Sequence, residues 1–258
     1  MSLRVLVTRP QAQASSTMAA IAAAGHQVLA MPCLEIVPVS SASPQGKVNQ
    51  SLALNLDAYT HVIVVSTNAA ANFLPLVENY WPQWPVRQTW WGMGSTTCAL
   101  LEAAQLPSVQ SSAYGDTSEA LLQSLLPNIE AHDKVLIVRG VGGRETLAEA
   151  LRDKGALVDY AQCYQRQAPQ VSAEDKTKVQ AFKPQVVVLQ SGETLVNFDA
   201  SFRQDIAAFD KHIHLVLPSE RVLEMAQELG YGQCLVSAGA SDRAICDTLN
   251  DLNQNIYT

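Results

Sequence analysis

The sequence predicts an α/β protein with two parallel-sheet domains, the first of them discontinuous. Short apolar runs alternate with helix-forming segments along the chain, a pattern typical of parallel sheets covered by helices on both faces. The sequence also repeats itself in a permuted order. With 258 residues, 48% of them hydrophobic, the chain has enough apolar material for two cores.

The N-terminal segment has the pattern of a strand, a helix and a second strand. Residues 3–8 are a continuous apolar run, residues 14–24 are rich in alanine and stop before glycine, and residues 26–30 form the second run. The serine- and proline-rich residues 40–46 then predict a linker.

Four strand and helix pairs are predicted in the middle of the chain, because apolar runs there are followed by serine, threonine or aspartate residues suited to capping helices. The chain then passes through a short strand into an extended segment, residues 161–167, which contains Tyr164. The predicted strands are residues 61–65, 90–94, 109–111 and 134–139, and the predicted helices are residues 69–77, 98–104, 119–126 and 145–154.

The C-terminal part continues the alternation. After a polar helix come three apolar strands, each followed by a helix, the first of which is predicted to be short. The predicted helices are residues 172–182, a short one after 191–194, one through 229, and 243–252; the strands are residues 185–190, 214–217 and 234–237.

The internal repeat is circularly permuted. Residues 5–9 align with residues 135–139 at an offset of 130, whereas Ser66 aligns with Ser191 at an offset of 125. The fourth strand and helix pair of the middle segment therefore resembles the beginning of the chain.

This order predicts that one domain is inserted into the other. The discontinuous domain is residues 1–37 plus 168–258, the inserted domain is residues 38–167, and the chain crosses between them near residues 32–39 and 161–169. One large sheet is the alternative, since single α/β cores of this size occur.

Bulk composition restricts the partners. The net charge of −7 disfavours a nucleic acid partner. The N-terminus does not resemble a signal peptide and no apolar run is long enough for a bilayer, so we expect no membrane partner and a cytoplasmic location. The five cysteines lack C-x-x-C spacing, which predicts buried thiols rather than disulfides or zinc ligands.

Hydroxyl, glycine and arginine residues follow the predicted strands at the edge where doubly wound sheets bind ligands. Helix N-termini at that edge hold carboxylates or phosphates. The alternatives are that each Ser or Thr only caps its own helix, and that the arginines pair with acids of their own domain. The candidate substrate-binding residues are Thr8, Arg9, Ser66, Thr67, Asn68, Gly94, Thr97, Arg139, Gly140, Gly143, Ser191, Gly192 and Ser219, with Arg144 as a further partner for an anion.

Five motifs occur along the chain in a distinctive order. They are Val-Leu-Val-Thr-Arg-Pro (5–10), Val-Ser-Thr-Asn-Ala (65–69), Gly-Ser-Thr-Thr (94–97), Val-Arg-Gly-Val-Gly-Gly-Arg-Glu-Thr-Leu (138–147) and Cys-Tyr-Gln-Arg (163–166). In this order they resemble the uroporphyrinogen-III synthase family, and the resemblance covers essentially the whole chain. It implies two flavodoxin-like domains joined by a two-stranded connector, with neither metal nor cofactor, in a monomer.

The resemblance also implies a substrate and a reaction. The substrate would be hydroxymethylbilane, a linear tetrapyrrole polycarboxylate, which loses its hydroxyl to give an azafulvene and closes through a spiro intermediate with ring D inverted. Tyr164 is the hypothesised general acid, because a phenol can donate the proton that the leaving hydroxyl requires. The alternative is an aromatic residue that only packs between domains.

One motif departs from the family pattern. A Gly-Pro-Thr-Thr-Ala-like loop is replaced by Leu-Pro-Ser-Glu-Arg at residues 217–221, where Glu220 would repel a polyanion unless it points away or pairs with Arg221. The glycines of residues 140–143 lack the G-x-G-x-x-G spacing of dinucleotide sites.

Two other classes of protein fit the same outline. A non-catalytic two-lobed binding protein for a small anionic ligand would share the architecture, but it would not require a proton donor such as Tyr164. A metal- or nucleotide-dependent transferase is disfavoured because the ligand and phosphate-loop spacings are absent from the sequence.

Overall fold

The computed structural model describes residues 2–206 and 213–256. In them the chain forms two sheets, of five and six strands, rather than one large sheet. Two compact units are present: residues up to Glu35 together with those from Gln167 onward, and Ile36–Arg166. We call them the discontinuous unit and the inserted unit. The two parallel-dominated sheets confirm the predicted α/β fold class.

The helices and strands of the described residues alternate along the chain. The strands are β1 (Arg4–Val7), β2 (Gln27–Ala30), β3 (Glu35–Pro38), β4 (His61–Val64), β5 (Thr89–Gly92), β6 (Val109–Ser111), β7 (Lys134–Gly140), β8 (Leu157–Gln167), β9 (Val186–Val188), β10 (His214–Leu217) and β11 (Cys234–Val236). The helices are α1 (Gln11–Ala23), α2 (Pro44–Leu54), α3 (Thr67–Glu78), α4 (Ser95–Ala103), α5 (Ser118–Leu125), α6 (Thr146–Asp153), α7 (Ala173–Phe182), α8 (Gly192–Ile206), α9 (Glu220–Glu228) and α10 (Asp242–Ile256).

The sheet of the discontinuous unit has the strand order β11-β10-β9-β1-β2, and its neighbouring strands are parallel. Alternate residues of β1 belong to different hydrophobic clusters: Leu6 packs with Phe198 and Leu215, and Val5 packs with Ile245. Both faces are buried, which explains why these strands are apolar without interruption.

The sheet of the inserted unit has the strand order β3-β8-β7-β4-β5-β6, with parallel pairing from β8 to β6. Val62 of β4 faces a cluster that contains Phe73 and Trp90, and Ile63 faces a second cluster around Leu121. This sheet is also buried on both faces.

The strand orders confirm the permuted repeat. If β7 is equated with β1, β8 with β2, and β4, β5 and β6 with β9, β10 and β11, one sheet has the same order as the other, with β3 added at an edge. The repeat therefore describes topology as well as sequence.

Three predictions of local structure were wrong. The predicted linker contains the start of α2, where Ser43 accepts a hydrogen bond from the Gly46 N–H and Pro44 occupies the first turn. A serine before a proline is a helix start as well as a loop signal. The helix after β9 has 15 residues rather than being short, and the strand predicted to be short is the strand of 11 residues β8, which includes the predicted extended segment of residues 161–167.

No helix in the part of the chain that the structure describes combines the length and the hydropathy needed to cross a membrane.

Candidate functional site

The inserted unit has a switch point between β4 and β7. From β4 the chain proceeds through β5 to β6 on one side and then returns to β7 on the other side. At such a point the loops that follow neighbouring strands diverge and leave a crevice at the carboxyl ends of the strands. A cavity of about 450 Å³ lies there, bordered by Ser66, Arg139, Gly140 and Tyr164.

Tyr164 is almost entirely buried, with 1% of its surface exposed, yet it borders this cavity. Its hydroxyl lies 3.2 Å from the Ser66 hydroxyl, and either oxygen can donate the hydrogen bond. The phenol is therefore held at the cavity by a partner that can also relay a proton.

A β-bulge in β8 sets the direction of Tyr164. Arg139 pairs with Gln162, but the next residue, Gly140, pairs with Tyr164, so Cys163 is the extra residue. Cys163 and Tyr164 both pack into the cluster that contains Val138. Bulges of this kind redirect side chains and are common beside active sites.

Gly140 makes this arrangement possible. A Cβ at Gly140 would lie 2.8 Å from two ring carbons of Tyr164, closer than real Cβ contacts come. Because the ring is buried, it has little room to move away. A glycine is therefore required for steric reasons at the end of β7.

The residues 140–144, which we call the glycine loop, wrap around the side chain of Arg139. Its guanidinium donates to the carbonyl oxygens of Gly142 and Arg144 and pairs with Glu145 at 3.1 Å. A Cβ on Gly143 would overlap the Nη2 atom of Arg139. The acid-pairing alternative for Arg139 is thus present in the structure, and direct contact with substrate stays a prediction.

Charged residues of both signs border the cavity. Arg144 and Arg166 are exposed and border it, as do the exposed acids Asp116 and Glu119. Hydrogen bonds from its own backbone N–H and from Thr117, together with the charge of Arg144, lower the pKa of the Glu119 carboxyl. The Glu119 carboxylate is therefore ionised, and an anion in the cavity would be attracted toward the arginines and repelled by Glu119.

The other candidates of the inserted unit lie around this edge with different partners. Ser66 caps α3 by accepting from the Ala69 N–H, and Thr67 and Asn68 form its first turn. Gly94 has φ +86 and precedes α4, and Thr97 is buried. Four of these candidates do not border the cavity of about 450 Å³: Thr67, Asn68, Gly94 and Thr97.

The candidates of the discontinuous unit follow β1, β9 and β10. Thr8 is buried and donates to the Val188 carbonyl at 2.7 Å, so its hydroxyl joins two strands. Arg9 donates to Asp242 at 3.0 Å and to Thr17 at 2.8 Å. The acid-pairing alternative is therefore also present for Arg9.

The two serines of this unit differ from each other. Ser191 accepts from the Thr194 N–H, as a capping residue does. Ser219 has nearly the same backbone angles as Ser66 but makes no side-chain capping bond with α9. Gly192 would place a Cβ 2.8 Å from the Met225 sulfur.

Sequence reasoning missed Glu145, Tyr160 and Arg166, all of which stand at or beside the cavity. Glu145 directly follows the glycine loop and Arg166 is the last residue of the Cys-Tyr-Gln-Arg motif. Their places beside these motifs could have indicated that they lie near the site. Tyr160 gave no comparable signal.

The cysteines fit their predicted role as packed thiols. Cys33, Cys98 and Cys163 are buried, and the remaining two are half-buried. Burial raises the pKa of Cys33 and of Cys163 to about 12. Within residues 2–206 and 213–256, no group of three or more His, Cys, Asp or Glu side chains is arranged to hold a metal ion.

Comparison with known proteins gives a consistent family. A family model described as uroporphyrinogen-III synthase HemD matches residues 15–247. The uroporphyrinogen-III synthase of Salmonella typhimurium is 29% identical over 257 residues, covering 96% of this chain and 100% of that protein. The Escherichia coli K12 protein of the same name is 28% identical over 254 residues, with the same two coverages.

Solved structures share the fold. The uroporphyrinogen-III synthetase of Helicobacter pylori matches with a TM-score of 0.63 at 14% identity, covering 98% of this chain and 100% of that chain. A mutant uroporphyrinogen III synthase of Thermus thermophilus matches with a TM-score of 0.59 at 12% identity, covering 99% of both chains.

Proposed function

This chain belongs to the uroporphyrinogen-III synthase family, and from that premise we propose how its residues close a linear tetrapyrrole. The enzyme is a cyclising lyase of tetrapyrrole biosynthesis that acts on hydroxymethylbilane. The rival assignment, a non-catalytic binding protein, is set aside because the family is one of enzymes.

The reaction requires positioning more than chemical force. Loss of the hydroxyl gives a reactive azafulvene, which closes to the symmetric type I isomer if it is left unguided. The enzyme has to hold the intermediate while the substituted carbon of ring D attacks the azafulvene to give a spiro-pyrrolenine. This carbon's original bond to the ring C bridge then breaks and the bridge rejoins ring D at its free α-carbon, so that ring D is inverted in the type III product. Holding two reacting ends in the right geometry is worth several orders of magnitude in rate.

Tyr164 is the group that we assign to protonating the leaving hydroxyl. The observation that carries this assignment is the hydrogen bond of 3.2 Å between Tyr164 and Ser66 at the cavity. A phenol held in this way can pass its proton to the departing oxygen and be reprotonated through Ser66. Its burial restricts movement of the whole side chain, so the hydroxyl stays at one place.

The acetate and propionate groups of the substrate are assigned to the cations and amides around the same cavity. Arg144 and Arg166 are exposed there. The N-terminus of α3 adds backbone N–H groups and a partial positive charge. Thr67, Asn68, Gly94, Thr97, Ser191, Gly192 and Ser219 stay candidates for further carboxylate contacts.

We also propose that the two compact units are domains, with residues 1–37 plus 168–258 as one and residues 38–167 as the other. The division at Glu35 and Arg166 supports these boundaries. A cytoplasmic monomer without a nucleic acid partner is proposed for the chain as a whole, and its net charge of −7 supports the last point.

The test is an incubation with freshly generated hydroxymethylbilane, followed by oxidation and separation of the porphyrin isomers. The wild-type chain should give the type III isomer, and type I product alone would reject the function. Tyr164→Phe should lower kcat at least ~10²-fold if the phenol is the general acid. An unchanged kcat would discard that role.

Tyr231→Phe is the matched control. The Tyr231 hydroxyl donates to Asp199 at 3.0 Å in the discontinuous unit, so this variant also loses one phenol hydrogen bond. Its kcat should equal that of the wild type.

A further inference from the structure

The guanidinium of Arg139 is occupied on several sides. It donates to two carbonyl oxygens of the glycine loop, pairs with Glu145 at 3.1 Å, and lies 5.0 Å from the centre of the Tyr160 ring. Only 8% of its side chain is exposed. A guanidinium with these contacts already has its partners within the protein. It would therefore affect a ligand indirectly, through the loop and the side chains that it contacts.

Glu145 links Arg139 to Tyr160. One of its carboxylate oxygens accepts from Arg139, and the other accepts from the Tyr160 hydroxyl. Hydrogen bonding from Tyr160, followed by the charge of Arg139, lowers the pKa of Glu145, so the carboxylate remains ionised in this setting. Arg139, Glu145 and Tyr160 form a closed triangle at the base of the glycine loop.

The glycine loop depends on this triangle for its shape. Gly142 has φ +75 and Gly143 has φ +102, and both residues are next to or bonded to the Arg139 guanidinium. The loop contributes Gly140, which touches the Tyr164 ring, and Arg144, which borders the cavity. Gly140 is also held in β7 by its pairing with Tyr164, so we expect a change in the triangle to move Arg144 and to leave Gly140 in place.

We propose that Glu145 and Tyr160 are positioning residues that act through Arg139 to hold the glycine loop, and with it Arg144, at the cavity. This rests on the function proposed above. Arg139 is then a support for the anion-binding loop instead of an anion-binding group.

The kinetic consequence differs from that of losing the general acid. The loop holds substrate carboxylates that do not react, so its interactions are equally strong in the ground state and the transition state. Loss of such interactions raises KM and leaves kcat nearly unchanged. Glu145→Gln and Tyr160→Phe should each raise KM by about tenfold and change kcat by less than about threefold.

A double-mutant cycle tests whether the two residues act through Arg139. Arg139→Gln should raise KM at least as much as either single variant. Adding Glu145→Gln or Tyr160→Phe to it should change KM by less than about twofold, because the support is already lost. Additive effects would overturn the proposal, since Glu145 or Tyr160 would then act by a route other than Arg139, either directly on the substrate or through Arg152, which lies 3.9 Å from Glu145. If Arg139→Gln does not fold, Arg139→Lys takes its place in the cycle.

Tyr59→Phe is the matched control. The Tyr59 hydroxyl donates to Asp159 at 2.8 Å in the same unit, and Tyr59 does not border the cavity. This variant should lose stability in thermal unfolding but keep the wild-type KM. A rise in KM equal to that of Tyr160→Phe would overturn the proposal, because general loosening of the unit would explain both.

The wild-type assay separates the two levels of inference. If the wild type gives type I product only, the proposed function fails. If it gives type III product while Glu145→Gln and Tyr160→Phe keep the wild-type KM, the function stands and the positioning proposal fails.

Discussion

Two arginines lie at equivalent positions, at the ends of the matching strands β1 and β7, but they make different contacts. Arg9 follows β1 and Arg139 ends the matching part of β7, and each pairs with an acid of its own unit. After Arg9 the chain enters α1 almost at once, at Gln11, and the arginine joins that helix to Asp242 of α10. After Arg139 the chain forms the glycine loop, and the arginine lies inside it.

The difference lies in the connection and not in the arginine. A short turn from strand to helix leaves the guanidinium free to join two helices. The longer loop of residues 140–144 gives it two carbonyl oxygens to hold and a cavity to border. An internal repeat therefore predicts the position of a side chain at the end of a strand better than it predicts the contacts of that side chain.

The largest expected effect separates two glycines at matching edges. Gly140→Ala forces a Cβ against the buried Tyr164 ring, whereas Gly192→Ala meets the flexible ends of two side chains, Met225 closely and Arg221 at 3.7 Å. We expect Gly140→Ala to destabilise the fold by about 1–3 kcal/mol through overpacking and to lower kcat by about 10²-fold through displacement of Tyr164. Thermal unfolding and initial rates measure both.

Gly192→Ala is the comparison for that experiment. Its loss of stability should be under about 1 kcal/mol, because a methionine end adapts to added volume. Equal losses in the two variants would contradict the claim that Tyr164 is held more rigidly than Met225.

A smaller effect is expected within the glycine loop. Gly143→Ala combines a positive φ with overlap on Arg139, and Gly142→Ala has a positive φ but no atom within 4 Å of the new Cβ. We expect losses of about 2 and about 1 kcal/mol in the free energy of unfolding. Denaturant titration of both variants gives the difference, and the reverse order would contradict the place assigned to Arg139.

Replacing Arg9 should cost less stability than replacing Arg139. The Arg9 side chain is 23% exposed and pairs with Asp242, whereas the Arg139 side chain is 8% exposed and also donates to two backbone carbonyl oxygens of the glycine loop. We expect Arg9→Gln to lower the free energy of unfolding by about 1 kcal/mol, and Arg139→Gln to lower it by more. The same Arg9→Gln protein, assayed for KM, also tests the prediction that Arg9 contacts substrate.

The smallest effect concerns one buried histidine in each unit. Burial lowers the pKa of His26 and of His61 from an ordinary value of 6.5. Hydrogen bonding to Asn250 opposes the shift for His26, and the charge of Asp133 opposes it for His61. The folded state therefore binds fewer protons than the unfolded state, so stability is present above pH 6.5 and is lost as the pH falls below it.

Thermal unfolding of wild type, His26→Asn and His61→Gln between about pH 7.5 and 5.5 measures this effect. Each variant should depend on pH less steeply than the wild type. A steeper dependence in either variant would reverse the sign assigned to that histidine.

Much of the fold was predictable because strand and helix patterns repeat in the sequence. Apolar runs such as residues 61–65 marked strands buried on both faces, and the offsets between Ser66, Ser191 and their neighbours indicated the permuted order. Helix α2 escaped because its Ser-Pro start also signals a loop.

The geometry around the cavity was less predictable. The bulge at Cys163 depends on pairing with β7 across the sheet. Without that bulge, the alternation of side chains along a strand would place Tyr164 on the same face as Tyr160. The contacts of Arg139 depend on a loop conformation that glycines permit but do not specify.

The most direct test of the account is amide hydrogen exchange of the whole chain with and without uroporphyrinogen III, kept anaerobic. We predict added protection in the amides of residues 66–69 and of the glycine loop, and unchanged exchange at residues 60–61 and 108–110, which lie at the opposite edge of the same sheet. Unchanged exchange in the glycine loop, with protection at that opposite edge, would contradict the account.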